Sequence, residues 1–239
     1  KGRAKMKNIA ICVPARDEVS TGFAHDLAIM SARFYGNAPS GTLFNVNFVA
    51  GTLIADQRQK LVMMAIKQGA DYILFLDSDM RFPSYLLERM LAHDQDIVAC
   101  NYATRRLPVK TVAFSDFAEL KCIYSLDKNG LEEVDAVGMG AMLIKTEIFK
   151  KLPLPWFSIS YLPSGNMYIG EDIYFCKLAQ ANGMKVYVDH DLSKDVRHIG
   201  VMEFTHDHAE IDRPDPMTET AALMERLQDE KDQSGKEDQ

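Results

Sequence analysis

Through the first hundred positions, short apolar runs alternate with segments of helical period. Residues 8–13 carry the unbroken run Ile9-Ala-Ile-Cys-Val13, closed by Pro14-Ala15-Arg16-Asp17. A run this short and continuous predicts a strand buried on both faces. Over 21–35 the apolar positions Phe23, Leu27, Met30 and Phe34 recur every three or four residues, which is one face of a helix. Residues 43–49 read as a second strand, and 56–69 as an amphipathic helix stopped by Gly69. Tyr72-Ile-Leu-Phe-Leu76 is a third buried strand, followed by a helix over 83–93 and a strand over 96–100. The resulting β-α-β-α-β-α-β order predicts a mostly parallel sheet with helices on its faces.

The second half is richer in short strands. Residues 109–115 and 121–126 read as strands, with Asp127-Lys-Asn-Gly130 as a hairpin turn. Residues 131–137 and 141–145 continue the pattern around Gly138-Met-Gly140, and Leu152-Pro-Leu-Pro155-Trp156-Phe157 forms a rigid aromatic loop. A helix over 171–182 ends at Gly183, and 185–189 is a strand. Beyond about residue 212 Pro and charged residues dominate, apart from an amphipathic piece at 218–227, and 229–239 reads as a solvated tail.

With 47% hydrophobic and 26% charged residues among 239, the chain has the composition of an ordinary soluble globular protein. A net charge of -7 argues against a general nucleic-acid-binding surface, while leaving room for a local basic pocket. Cys12, Cys100, Cys122 and Cys176 form no CxxC pair, and the first two lie in apolar runs, so buried free thiols in a reducing compartment are expected. No apolar run is long enough to span a bilayer, and the basic start Lys1-Gly-Arg-Ala-Lys-Met6 leads into no signal-like segment. A soluble cytoplasmic protein is the expectation.

The chemistry concentrates at Asp77-Ser78-Asp79-Met80, directly after the 72–76 run. On an extended segment, side chains i and i+2 point the same way. Asp77 and Asp79 can then converge just beyond the strand's carboxyl end, where open α/β sheets bind ligands. Two such carboxylates suit a hard divalent cation that keeps positions open for phosphate. The alternative is an Asp-rich turn capping the next helix. Gly170-Glu171-Asp172 likewise could do no more than cap a helix. Glu203-Phe-Thr-His206-Asp207-His208 sets two histidines at i, i+2, a second possible metal-binding pair.

Five segments, in order, carry a resemblance. They are Ile9-Ala-Ile-Cys-Val-Pro14-Ala15-Arg16; Ala55-Asp56-Gln-Arg58-Gln-Lys60 leading to Phe75-Leu-Asp77-Ser-Asp79-Met80; Val137-Gly-Met-Gly-Ala-Met142; Gly170-Glu171-Asp172; and Arg197-His198-Ile-Gly200. With them the chain resembles nucleotide-sugar-dependent glycosyltransferases of the GT-A fold, in the style of the small family 2-like enzymes of bacteria and phages. The resemblance implies an α/β, Rossmann-like and mostly parallel sheet flanked by helices, with a smaller β-rich acceptor-side half. It implies one domain over 1–228, with a nucleotide-binding half at 8–100 and an acceptor-side half at 101–211.

The implied activity is metal-dependent transfer of a sugar from a nucleoside-diphosphate sugar, UDP-linked before GDP-linked, to an acceptor hydroxyl. By that resemblance Pro14, Ala15 and Arg16 hold the nucleotide, with Arg16 offering a planar fork to base or phosphate. Arg58 reaches the nucleotide, although Gln59 stands where an Asn is common; both arginines could equally be surface residues. Asp79 is the direct metal ligand, Asp77 also lies near the ribose with Ser78, and His198 is a third ligand that brings Mn2+ level with Mg2+. The cation offsets the charge that grows on the departing diphosphate. Asp172 is the general base of an inverting reaction and Glu171 holds sugar hydroxyls; in a retaining enzyme both would position substrate instead. Trp156, with Phe157 and Tyr161, could line the acceptor cleft, or Trp156 could pin its loop in the core. Gly138 and Gly140 allow close backbone approach near the donor sugar, or mark a bulge.

No Gln-x-x-Arg-Trp motif occurs, which sets the chain apart from processive synthases. Two other functions compete: a nucleotidyltransferase, disfavoured because no glycine follows the first strand until Gly22, and a non-catalytic domain binding nucleotide sugar or glycan. The acceptor, whether glycan, lipid-linked sugar, protein or modified nucleic acid, is not specified by the sequence, nor is the oligomeric state.

Overall fold

The structure, a computed structural model, describes residues 7–105, 108–162 and 166–201. Its centre is a seven-stranded sheet. From one edge the strands are β2 (Phe44–Ala50), β1 (Ile9–Ala15), β3 (Tyr72–Leu76), β10 (Ala141–Lys145), β5 (Ile97–Ala99), β13 (Val186–Asp189) and β8 (Leu131–Glu133). The β1–β2, β1–β3 and β5–β13 pairings are parallel, while β10 and β8 run against their neighbours.

Strand alternation gives the sheet two apolar faces. Ala10, Cys12, Ile73 and Phe75 enter one core beside Leu61 and Val62 of helix α2 (Ile54–Lys67) and Phe175 of helix α4 (Glu171–Ala181). Ile9, Ile11, Leu74 and Leu76 enter the other core beside Phe23 of α1 (Thr21–Asn37) and Leu87 of α3 (Leu86–Ala92). Cover on both sides is why the inner strands β1, β3 and β10 read as unbroken apolar runs.

Strand β10 belongs to the middle of this sheet, although the sequence places it in the β-rich second half. It slots antiparallel between β3 and β5. Its residues alternate between the two cores, with Met142 and Ile144 on one side and Ala141 and Leu143 on the other. The expected strand over 131–137 is two pieces: β8 at the edge of the main sheet, and β9 (Ala136–Val137). The latter joins β6 (Ala113–Asp116) and β7 (Lys121–Cys122) in a separate three-stranded sheet. A short hairpin, β11 (Ser160–Leu162) with β12 (Met167–Ile169), leads into α4.

After β3 the chain turns into β4 (Met80–Arg81), which pairs antiparallel with β14 (Arg197–His198) in the register His198 to Met80. The remaining elements are a 3-10 turn, Thr146–Lys150, and the short α5 (His190–Ser193). All four cysteines are free, with Cys12, Cys100 and Cys176 buried. Burial pushes the Cys12 and Cys176 thiols up to about 12. No helix among the described residues is long and apolar enough to cross a membrane. The segment 218–227, the tail 229–239 and the pair His206 and His208 lie outside the described residues.

Candidate active site

The turn after β3 is held from several directions. Asp77 N–H donates to the Gly140 carbonyl at 3.0 Å, and Met80 N–H to the Asp77 carbonyl at 3.1 Å. Ser20 N–H donates to the Ser78 carbonyl at 3.2 Å, and Ile199 N–H to the Asp79 carbonyl at 2.8 Å. The Asp77-Ser78-Asp79 backbone is thus fixed by segments before α1, before β10 and after β14. Because the chain leaves the strand at Leu76, side-chain alternation stops there, and the two aspartates face different surroundings.

Asp77 faces inward. Its Oδ1 accepts from Arg58 Nη2 at 2.9 Å. Arg58 itself is only 2% exposed, so it is neither a surface arginine nor a group free to reach a nucleotide, and both expectations are corrected. Its Nη1 donates to the Met139 carbonyl at 3.2 Å, its Nε lies 3.1 Å from Glu171 Oε1, and its guanidinium lies 5.4 Å from the Phe75 ring centre. Burial opposes the Arg58 charge, but Asp77, Glu171 and Asp172 outweigh it and raise its pKa. Glu171 is buried against this arginine and is corrected from a holder of sugar hydroxyls to an internal counter-charge.

Asp79 faces Arg105 and His198. Its Oδ2 lies 2.7 Å from Arg105 Nη1, and its Oδ1 lies 3.3 Å from His198 Nε2. Burial works against its ionisation, but His198 and Arg105 outweigh it and hold the carboxyl below the usual carboxylate range. His198 Nδ1 sits 3.0 Å from the Ala103 carbonyl. A carbonyl oxygen can only accept, so Nδ1 carries the hydrogen, and in the neutral ring Nε2 turns its lone pair toward Asp79. Two acceptors facing each other need a proton or a cation between them. A protonated His198 satisfies the pair as an ion pair; with the ring neutral, Asp79 and His198 offer two donor atoms to a divalent cation, with the Ala103 carbonyl fixing the ring as outer partners of ligating histidines do. Among the described residues, no three His, Cys, Asp or Glu side chains stand together as a metal cluster.

Asp172 stands one residue from Glu171 at the start of α4, with no cation facing it closely. Its Oδ1 accepts from Ile173 N–H at 2.7 Å. The carboxylate folds over Gly170 so tightly that a Cβ there would lie 2.6 Å from Oδ1, which is why glycine precedes the acid pair. Burial first, and then the Glu171 charge, raise the Asp172 pKa from 3.8 to about 6, with Arg58 pulling the other way. A carboxylate poised near neutrality is suited to taking a proton. Asp172 also lines a groove of about 500 Å³ together with Gly138, Val112, Phe114 and Tyr168.

The other expected site residues divide. At the end of β1, Pro14 is buried, Ala15 is partly exposed and Arg16 is exposed. The Ala15 carbonyl accepts from Gln57 Nε2 at 2.6 Å, and Ser78 is partly exposed on the same rim. Trp156 and Phe157 are corrected: at 8% and 4% exposure they are core residues and present no free ring face to a sugar. Trp156 packs on Phe149 at 5.1 Å, Phe157 packs on Phe175 at 5.4 Å, and Gln59 Oε1 accepts from the Trp156 N–H at 3.2 Å. Tyr161 is 51% exposed and pairs across the β11–β12 hairpin with Tyr168, ring centres 5.3 Å apart. Gly138 and Gly140 make their close approach to a protein side chain, since a Cβ on either would come within 2.6 or 2.7 Å of Tyr102. The Gly140 N–H donates to the Tyr102 hydroxyl at 3.0 Å.

Three residues were not singled out by the sequence. Tyr102 follows the fourth predicted strand and so shares the rim with Asp77, a signal of position. Tyr168 could have been found by alternation in the strand that precedes Gly170. Arg105 sits in a loop with no periodic pattern, and nothing local marks it.

No protein-family model and no curated protein sequence matches the chain. Among solved structures, A197 from STIV superposes with a TM-score of 0.50 at 16% identity, covering 84% of this chain and 100% of that one. GalNAc-T7 with UDP, GalNAc and Mn2+ aligns with a TM-score of 0.45 at 12% identity, over 84% of this chain and 45% of that one. A Drosophila β-1,4-galactosyltransferase 7 mutant in complex with manganese, UDP-Gal and xylobiose aligns with a TM-score of 0.47 at 16% identity, over 90% and 79%. At these identities the likeness concerns the fold. What the chain shares with A197 from STIV is an α/β fold, here built on a seven-stranded sheet with β10 reversed between β3 and β5.

Proposed function

We propose that this chain is a metal-dependent glycosyltransferase that moves a sugar from a nucleoside-diphosphate sugar, with UDP favoured, to an acceptor hydroxyl. The observation that carries this reading is the separation of labour at one sheet rim. Asp79 Oδ1 and His198 Nε2 stand 3.3 Å apart, and Asp172, with its raised pKa, stands at the groove. In this reading Asp79 and His198 hold Mn2+ or Mg2+, which when bound offsets the negative charge growing on the diphosphate. The Ala15–Arg16 rim and Ser78 take the nucleoside, while Arg58 and Glu171 keep Asp77 and the turn in place.

Asp172 receives the acceptor's proton. As the acceptor O–H bond breaks, its oxygen forms a bond to the anomeric carbon, and the bond from that carbon to the diphosphate oxygen breaks. The electron pair leaves with the nucleoside diphosphate. Arg105, at the outer face of Asp79, is placed to meet phosphate oxygens once a ligand enters. A nucleotidyltransferase is the weaker reading, because the β1–α1 connection, residues 16–20, has no glycine to wrap a triphosphate.

The test is release of nucleoside diphosphate from UDP-glucose, UDP-galactose, UDP-N-acetylglucosamine and GDP-mannose, with Mn2+ or with EDTA. Turnover of one donor that stops in EDTA is expected. Absence of turnover and of nucleotide binding in a folded protein would overturn the reading.

A further inference from the structure

The groove that Asp172 enters is walled by apolar side chains. Val112, Phe114, Leu120, Met167, Tyr168 and Ile173 line it, with Lys110 and two threonines as further polar lining. Its volume, about 500 Å³, is that of a small-molecule site. Phe114 and Phe117 meet edge to face at 5.2 Å and make one rigid wall, while the Tyr161–Tyr168 pair stands on the β11–β12 hairpin. Tyr168 is 73% exposed and reaches the groove without being spent on the core.

A second, independent observation concerns Leu120. This leucine has φ +51, in the left-handed region that a bulky residue enters only at a cost. Its backbone closes the β6–β7 turn, with Leu120 N–H donating to the Phe117 carbonyl at 3.1 Å. A glycine or asparagine would meet that turn's needs more cheaply. Instead a side chain 52% exposed is held on the groove wall. Strain and exposed apolar surface coincide at one residue, where folding alone gives no return for either.

From this, and resting on the transferase reading above, we infer that the acceptor is an amphiphile: a hydroxyl compound bearing an alkyl or aryl group. The hydroxyl meets Asp172, and the apolar group lies along Phe114, Leu120 and Tyr168. A glycan ring could stack on Tyr168 or Phe114, but it would leave the strained, exposed Leu120 facing sugar hydroxyls with nothing gained. An apolar acceptor removes all three side chains from water together with its own surface.

The experiment compares octyl β-D-glucopyranoside, kept below its micelle concentration, with methyl β-D-glucopyranoside. Each is titrated by calorimetry into the full chain with UDP and Mn2+. The two share a head group, so their difference reports the groove alone. The octyl compound is expected to bind about tenfold tighter or more, since a fully buried methylene contributes roughly fourfold. Leu120→Asp and Tyr168→Ala should each shrink that preference by at least about threefold and leave UDP affinity unchanged. Equal affinity for the two glycosides, no binding of the octyl compound, or a preference untouched by both variants would overturn the inference, while UDP binding with Mn2+ would leave the transferase reading standing. Octyl preference without any UDP binding would instead remove the donor site, and with it the acceptor role of the groove.

Discussion

Two layers of charge lie at the carboxyl end of β3, and they are built on opposite terms. The inner layer is the buried Arg58 between the partly exposed Asp77 and the buried Glu171, with its guanidinium shared between two carboxylates and a backbone carbonyl. The outer layer is Asp79, which meets Arg105 and His198, and Asp172, which among the described residues accepts only from the Ile173 N–H. Each layer takes one member from each acidic pair: Asp77 and Glu171 meet Arg58, while Asp79 and Asp172 do not. A residue's type and spacing therefore do not decide its work here; the presence of a fixed counter-charge does. Glu171 lies directly against Arg58, whereas Asp172 beside it makes no close ion pair among the described residues, and its burial and the Glu171 charge outweigh Arg58 and raise its pKa to about 6.

The largest effect should come from the outer layer. Asp172→Asn is expected to cut transfer by about 10²- to 10⁴-fold with UDP affinity unchanged, read from steady-state kinetics and calorimetry. The same variant should be more stable than the parent near pH 7.5. Folding raises this carboxyl's pKa from 3.8 to about 6, so the folded state binds the proton more tightly than the unfolded one. On that account stability falls as pH rises from about 4 to about 6 and stays lowered above. Removing the charge should return about 1–2 kcal/mol by urea denaturation, allowing for the water that reaches the carboxylate.

In the inner layer, Arg58→Met leaves the buried Glu171 and the partly exposed Asp77 without their shared cation and should cost about 3–5 kcal/mol of stability by the same denaturation measurement. If it costs less than about 1 kcal/mol, the two layers are not different in kind. Gly140→Ala drives a Cβ to 2.7 Å from the Tyr102 ring, beneath the turn that Gly140 itself anchors. A loss of about 1–3 kcal/mol is expected, again from urea midpoints. The smallest effect sharpens the comparison by pH. With saturating donor and metal, the transfer rate should climb about tenfold per unit below pH 6 and level off above, because Asp172 must be unprotonated to accept the acceptor's proton. A rate flat from pH 5 to 8 would take that role from Asp172.

Much of this was legible in the chain. Buried strands announce themselves as unbroken apolar runs, so β1, β3 and β5, the helices between them and the acids after Leu76 could be placed directly. Strand β10 was seen as a strand but not as the centre of the sheet, because strand order is set by pairing between distant segments. The fate of Arg58 was hidden for a related reason. A helix position at the buried face looks like any arginine until Asp77 and Glu171, far apart in sequence, close around it. Trp156 and Phe157 show the limit of residue type: aromatic side chains suit a sugar platform and a core equally well, and packing against Phe149 and Phe175 decided for the core.

The most direct test of the two-layer account is calorimetric titration of UDP, with and without Mn2+, into the parent chain, Asp79→Ala and Asp172→Asn side by side. The account predicts Mn2+-dependent binding in the parent and in Asp172→Asn, and loss of the metal-dependent part in Asp79→Ala. Unchanged Mn2+-dependent affinity in Asp79→Ala, or its loss in Asp172→Asn alone, would contradict it.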